Sequence, residues 1–292
     1  MDTGRGDPRV AVVMITHNRI NEVMRSLGEL ARLPERPRVV VVDNGSNDGT
    51  ARAVAERFPD VEVLDAGGNL GAAARTLGVR HVDAPYVAFC DDDTWWEPGC
   101  LGKAADLFDQ EARLAVVTGR VLVGDENRED PACAVLANSP LPREPGMPGP
   151  PLLGFLAGAS VVRRGAFLEA GGFEPRFFIG GEEELLAADL AARGWWLCYV
   201  PELVVHHHPS RLRDPSGRRD TMARNALWFA WLRRPLPVAL RKTLEPALRR
   251  PWSRDTWRTL AEALRGLPWA LSRRRGLPPA VENGLRLLEG RH

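Results

Sequence analysis

Three consecutive aspartates, Asp91-Asp92-Asp93, close the apolar run Tyr86-Val87-Ala88-Phe89-Cys90. A buried strand that ends in carboxylates carries negative charge to the carboxyl edge of a sheet, where open α/β folds bind ligands. Alternate side chains of extended backbone share a face, so Asp91 and Asp93 are expected to converge and Asp92 to point elsewhere. Hard oxygen donors of this kind suit Mn²⁺ or Mg²⁺, ions that usually arrive with a substrate's phosphates. The competing reading is a solvated acidic loop before a helix that starts at Glu97-Pro98.

A second carboxylate cluster, Glu182-Glu183-Glu184, follows Gly180-Gly181. Three acids at a helix start can simply complement the helix dipole, by about 0.3–1 kcal/mol each. Polar clusters also follow two apolar runs: Thr16-His17-Asn18-Arg19 after Val10–Ile15, and Asp43-Asn44-Gly45-Ser46 after Val39–Val42. Turn chemistry accounts for Gly45, Ser46 and Gly49. Asp43 stands apart, because a carboxylate directly after buried valines costs desolvation unless it is paired or meets a ligand. Gly67-Gly68-Asn69-Leu70-Gly71 runs into a helix whose Arg75 could reach a phosphate. It has neither dinucleotide-binding spacing nor the Lys-Ser/Thr of a P-loop.

The elements that would position these groups alternate strand and helix. Apolar runs at 10–15, 39–42, 61–64 and 86–90 read as strands, and 20–33, 50–58 and 71–81 as helices. That pattern predicts βαβ units, a mostly parallel sheet and right-handed crossovers. A helix over 98–109 and a strand over 115–123 follow, then a proline-rich stretch, 124–151, read as one long loop. Strands at 158–162, 196–200 and 203–208 and helices at 165–170 and 182–193 complete a domain spanning 1–210. Residues 211–292 read as a helical C-terminal extension, with helices at 221–232, 238–248, 255–264 and 281–288.

In this order the segments resemble the inverting family-2 glycosyltransferases of the GT-A fold, over about residues 9–210. The resemblance rests on Thr16 to Arg19, Asp43 to Thr50, Gly67 to Arg75, Phe89 to Trp96 and Gly180 to Glu184. It implies a nucleotide-diphosphate sugar as donor and a sugar, natural product or lipid-linked molecule as acceptor, with no nucleic-acid partner. Thr16, His17, Asn18, Arg19 and Asp43 would hold the nucleoside, with Asn69 and Arg75 nearby. Asp91 and Asp93 would be the outer positions of the DxD motif around Asp92, and Asp93 the direct ligand of Mn²⁺ or Mg²⁺. Glu183 falls where the family places its catalytic carboxylate, eleven residues before Gly194, with Glu182 and Glu184 as the neighbouring choices of register. The chain departs from the usual pattern at Glu183, where Asp is common, at Leu185, where a second acid is common, and at Asp189, where Arg is common.

His206-His207-His208 ends the last strand. Alternation pairs His206 with His208 on one face, and the resemblance makes one of that pair a metal or diphosphate contact, with acceptor binding as the other role. Trp95 or Trp96 could stack on an acceptor sugar, although tryptophans at strand ends are more often core. Arg211, Arg213, Arg218, Arg219 and Arg224 could clamp the leaving diphosphate.

Net charge is +1, but residues 211–292 hold 19 Arg and Lys against 7 Asp and Glu, whereas residues 1–210 hold 20 against 31. Such a basic, Trp-rich extension either packs on the body or a second subunit, giving a homodimer, or rests on an anionic membrane. Four scattered cysteines without metal spacing read as buried thiols. With no apolar leader or spanning segment, the expected location is cytoplasmic, with peripheral contact at the inner membrane face as the sharper reading of the tail. Two other functions fit the fold. A sugar-1-phosphate nucleotidyltransferase would carry a basic glycine-rich loop where Thr16 to Arg19 stand. A non-catalytic sugar-nucleotide-binding module would have no need of the acidic clusters.

Overall fold

The computed structural model describes residues 6–210, 215–249 and 252–290. The first half runs β1 (Val10–Thr16), α1 (Ile20–Leu30), β2 (Arg38–Asp43), α2 (Thr50–Arg57), β3 (Glu62–Asp65), α3 (Ala74–His81) and β4 (Tyr86–Asp91). These four strands are mutually parallel in the order β3-β2-β1-β4. Val12, Val13 and Met14 of β1 and Val40 to Val42 of β2 are fully buried. A continuous valine run is what a strand covered on both faces requires. Register pairs Thr16 with Asp43 and Ile15 with Asp91, so three strands end side by side and deliver their polar termini to one rim.

The second half departs from the parallel expectation. After β5 (Thr94–Trp96), α4 (Cys100–Gln110), β6 (Leu114–Val123), β7 (Arg128–Glu129), α5 (Pro131–Ala137), β8 (Ser160–Arg163), α6 (Arg164–Glu169), α7 (Glu182–Ala191) and β9 (Trp196–His207), the sheet continues as β4-β8-β6-β9-β5. β8 is antiparallel to both β4 and β6, and β5 is antiparallel to β9, so the sheet is mixed. The stretch 124–151 is not one loop. Pro131 opens α5, whose N-cap Asp130 accepts from the Ala132 N–H. The two short strands expected at 196–200 and 203–208 form one long β9, which crosses Pro201-Glu202 with a register shift against β6.

The C-terminal region holds α8 (Pro215–Arg233), α9 (Leu236–Arg249), α10 (Arg254–Arg265), α11 (Leu267–Ser272) and α12 (Pro279–Glu289). It is not an independent appendage. Leu227, Trp228, Leu232, Leu260 and Leu285 share a hydrophobic cluster with Phe177, Leu185 and Ala188 of the body. Trp228 is buried and its indole N–H donates to the Ala263 carbonyl at 3.0 Å. All four cysteines are buried, free thiols. Among the described residues no helix is long and apolar enough to cross a membrane.

Candidate active site

The N-terminal side of the rim is built by short-range turn chemistry. The Asp43 carboxylate, almost fully buried, accepts from the Ser46 N–H at 3.1 Å and the Ser46 hydroxyl at 2.5 Å. Its desolvation is thus offset by its own turn. His17 Nδ1–H donates to the Asn44 carbonyl at 2.9 Å, leaving Nε2 to accept from the Asn18 amide at 3.3 Å. Asn18, with φ +54°, receives the Asn47 N–H on its side-chain oxygen, and its own N–H donates to Ser46 Oγ. Arg19 lies 3.9 Å from Glu22. Asn44 then reaches the glycine-rich turn, accepting from the Leu70 N–H and donating to the Gly71 carbonyl. Exposed Asn69 closes that turn by accepting from the Gly71 N–H.

The three aspartates diverge. The Asp91 carboxylate is ion-paired with buried Arg75. A Cβ at Gly158 would lie 2.6 Å from Asp91 Oδ2, so only glycine lets that carboxylate settle there. Asp92 accepts from the Thr16 hydroxyl at 3.1 Å, and its carbonyl receives the Ser26 hydroxyl at 2.8 Å. Burial, followed by the charges of Asp93 and Asp91, pushes its carboxyl up to about 7. Buried Asp93 turns toward the end of β9. Its Oδ2 accepts from the Ser210 N–H at 3.3 Å, and Oδ1 stands 3.6 Å from His207 Nε2. The expected convergence of Asp91 with Asp93 is therefore not what the backbone delivers, because the strand turns at Asp91, where the Asp91 N–H donates to Thr94 Oγ1.

The histidines also differ from expectation. His206 and His208 do share a face, but it is the face of Trp95, whose ring lies 5.7 Å from His206 and 4.7 Å from His208. His206 meets Asn127 at 3.0 Å and His208 meets Asp125 at 3.3 Å. β5 pairs with β9 so that Trp95 opposes His206 and Thr94 opposes His207, which sends His207 toward Asp93. Trp96 is fully buried, its N–H donating to the Phe89 carbonyl, and belongs to the core.

The three glutamates open α7. Glu182 is buried and its Oε2 finds no partner among the described residues. Burial, then the neighbouring Glu183 charge, pushes its carboxyl up to about 8. Glu183 is likewise raised by burial, against the pull of the Arg75 charge. Glu184 is exposed and turns to the other side, near Lys242 and Glu289 of the C-terminal helices. Arg75 therefore stands between Asp91 and the Glu182–Glu183 pair, and its own Nε has no partner among the described residues. Two carboxyls with raised proton affinity beside a buried cation, on the rim that carries Asp93, form an arrangement suited to acid–base work on a phosphate-bearing substrate.

The family model for glycosyl transferase family 2 matches residues 11–170. This chain belongs to glycosyltransferase family 2. It is 31% identical, over 80% of its length and 89% of the relative's, to the N-acetylglucosaminyl-diphospho-decaprenol L-rhamnosyltransferase of Mycobacterium tuberculosis. Its fold is that of GT-A glycosyltransferases. It is similar to S. aureus TarS (residues 1–349) solved with UDP-GlcNAc, at TM-score 0.66 and 15% identity, covering 90% of this chain and 81% of that one. It is also similar to GalNAc-T7 solved with UDP, GalNAc and Mn²⁺, at TM-score 0.63 and 14% identity, covering 90% of this chain and 56% of that one.

In this glycosyltransferase a residue of the C-terminal region with almost no local sequence signature holds the turn before α7. Asn225 of α8 is fully buried, and its amide donates to the carbonyls of Phe177, Gly180 and Ile179 at 2.7, 2.6 and 3.3 Å. Those carbonyls belong to the turn that launches α7. Phe178 in that turn has φ +60°, and its carbonyl receives the Ala72 N–H at 2.7 Å. A Cβ at Gly71 would lie 2.1 Å from that same oxygen, so glycine is required for the two turns to meet. Further along α7, Asp189 takes a bidentate pair from Arg233 of α8 at 2.5 and 2.7 Å. The only signal for Asn225 was an amide at the head of the apolar run Ala226 to Leu232. Of the arginines offered for a diphosphate, Arg211, Arg213 and the side chain of Arg218 lie outside the described residues. Arg219 is exposed, and Arg224 covers the Trp228 ring at 4.3 Å.

Proposed function

We propose that this family-2 glycosyltransferase moves a sugar, with inversion, from a nucleoside-diphosphate donor to a hydroxyl of a lipid-linked acceptor. Residues 1–210 act as the catalytic unit and 211–292 as an accessory one. The observation that carries the reading is the pair of carboxyls with raised proton affinity, Glu182 and Glu183, placed beside Arg75 and its partner Asp91 at the end of β4. Inversion needs a base opposite the departing diphosphate, and Glu183 takes the acceptor proton in this scheme, while Glu182 stays protonated beside it. Thr16 to Arg19, Asp43 and Asn69 line the nucleoside side. The acceptor class follows the M. tuberculosis relative, whose name specifies a diphospho-decaprenol acceptor.

The metal-binding residues in this reading are Asp93 and His207. Asp93 Oδ1 and His207 Nε2 stand 3.6 Å apart, near enough that both would hold one ion after a small adjustment. Among the described residues no three His, Cys, Asp or Glu side chains already form a metal cluster. Ions of the Mg²⁺ type take much of their shell from substrate phosphate and water, so two protein donors suffice. A bound Mn²⁺ or Mg²⁺ supplies charge neutralisation for the leaving diphosphate. Family membership sets aside the nucleotidyltransferase and non-catalytic alternatives.

The test is a panel of nucleotide-sugars assayed with the whole chain and two variants. Glu183→Gln keeps shape but cannot accept a proton, so donor binding should persist while transfer falls by about 10²–10⁴-fold. Asp93→Ala should lose metal-dependent binding of the nucleoside diphosphate. Full turnover by Asp93→Ala, or by wild type in excess chelator, would remove the metal from the scheme. A dead Glu182→Gln beside an active Glu183→Gln would move the base by one residue.

A further inference from the structure

Helix α9 is inverted with respect to size. Its inward-facing positions are small: Ala239 is fully buried, Ala247 packs against the C-terminal cluster, and Thr243 accepts the Trp231 indole N–H at 3.0 Å. Its leucines are outside. Leu236, Leu240, Leu244 and Leu248 follow one another at i, i+4 spacing and are 50%, 51%, 58% and 78% exposed. Residues four apart on a helix lie one above the other, so these four make a single row about three turns long. Trp252, 94% exposed, comes four residues after the last of them. A surface helix ordinarily turns its large apolar side chains inward. A contiguous outward row marks a surface that meets something other than water.

Charge selects the partner. Exposed Arg241 borders the leucines on the polar side of the helix, and Arg249 lies at its end, tied to Glu245. The region carries 19 basic groups against 7 acidic ones. Two copies of such a surface repel each other, whereas an anionic lipid headgroup layer attracts it and accepts leucine and tryptophan at its apolar boundary. We propose that the leucine row of α9, with Trp252 beyond it, is the surface by which this protein rests on an anionic bilayer. The proposal deepens the lipid-linked-acceptor reading and rests on it for its purpose. Lys242 of α9 pairs with Glu289 of α12, whose charge acts on Glu184 at the start of α7, on the side turned away from Glu182 and Glu183.

The experiment is flotation of the full chain with vesicles of phosphatidylcholine alone or mixed with phosphatidylglycerol. No donor or acceptor is present, so its outcome is independent of whether the catalytic assignment holds. Wild type should float with the anionic vesicles and be released in about 0.5 M salt, where screening confines attraction to a few ångströms. Changing Leu240, Leu244 and Leu248 together to Ser should lower the bound fraction about tenfold or more, because binding scales with inserted apolar area. The triple variant should keep the wild-type thermal transition, as it alters exposed side chains. If it does not, Arg241→Glu, which removes charge without touching the leucines, should lower binding to the anionic vesicles alone. Undiminished binding by the triple variant, or equal binding to both vesicle types, would overturn the proposal. So would a wild-type dimer in sedimentation equilibrium that the leucine changes convert to monomer, because the row would then belong to a second copy.

Discussion

The two sides of the active-site rim are held by different means. On the nucleoside side, Asp43, Asn18, Asn44 and Asn69 are fixed by turns closed within a few residues or between adjacent strand ends. On the side of the proposed base, the segment that starts α7 is fixed from a distance. Asn225 reaches back 45 residues to the Gly180 carbonyl, and Arg233 reaches back 44 to Asp189. Among the described residues, Arg75 and the contact between Gly71 and Phe178 connect the two sides directly. The nucleoside side should thus be robust and local in its responses, and the base side sensitive to remote changes in the C-terminal helices.

The strongest way to break this comparison is to remove the connection. Arg75→Ala leaves half-buried Asp91 and the glutamate pair without their shared cation, at a cost of on the order of 1–3 kcal/mol. Donor titration and transfer should both fail, with a large drop in Tm. A variant that keeps either function intact would show that the two sides are coupled by other means.

Asn225→Ala attacks the base side alone. It leaves buried carbonyls of Phe177 and Gly180 without their donor, at a cost of about 2 kcal/mol. The expected signature is a lower kcat with unchanged donor Kd, measured by single-turnover transfer and nucleotide titration. A donor Kd that shifts as much as kcat would erase the distinction between the two sides.

Glu182 offers a pH test of the same side. Its buried carboxyl, raised to about 8, holds a proton in the folded chain that the unfolded chain releases near 4.5. The stability it contributes is therefore complete below about pH 4.5 and is lost as pH rises through about 8. Glu182→Gln cannot ionise, so its Tm should exceed that of wild type at pH 9 and match it at pH 4. Parallel Tm curves across that range would mean that Glu182 ionises as freely as an exposed acid.

The smallest effect is expected from Ser46→Ala on the nucleoside side. Asp43 keeps the Ser46 N–H and loses only the hydroxyl, worth about 1 kcal/mol. Donor KM should rise a few-fold with kcat unchanged. A loss of kcat here would mean that the Asp43 turn positions more than the nucleoside.

The parallel half of the sheet, its rim of Thr16, Asp43 and Asp91, and the order of the acidic clusters were legible in the sequence, because apolar runs and turn residues act over short range. Alternation also told correctly that His206 and His208 share a face. It could not tell that His207 holds the face toward Asp93, since side-chain period fixes relative direction while neighbouring strands fix the absolute one. The antiparallel insertion of β8 between β4 and β6, the diversion of Asp91 to Arg75 and the clamp of Asn225 on the α7 turn are likewise tertiary facts. Each joins residues far apart in the chain, where no local pattern carries the pairing. The leucines of α9 show the same limit from the other direction. Their spacing made a helix, and the burial of Ala239 and the packing of Ala247 within the C-terminal helices decided that they face outward.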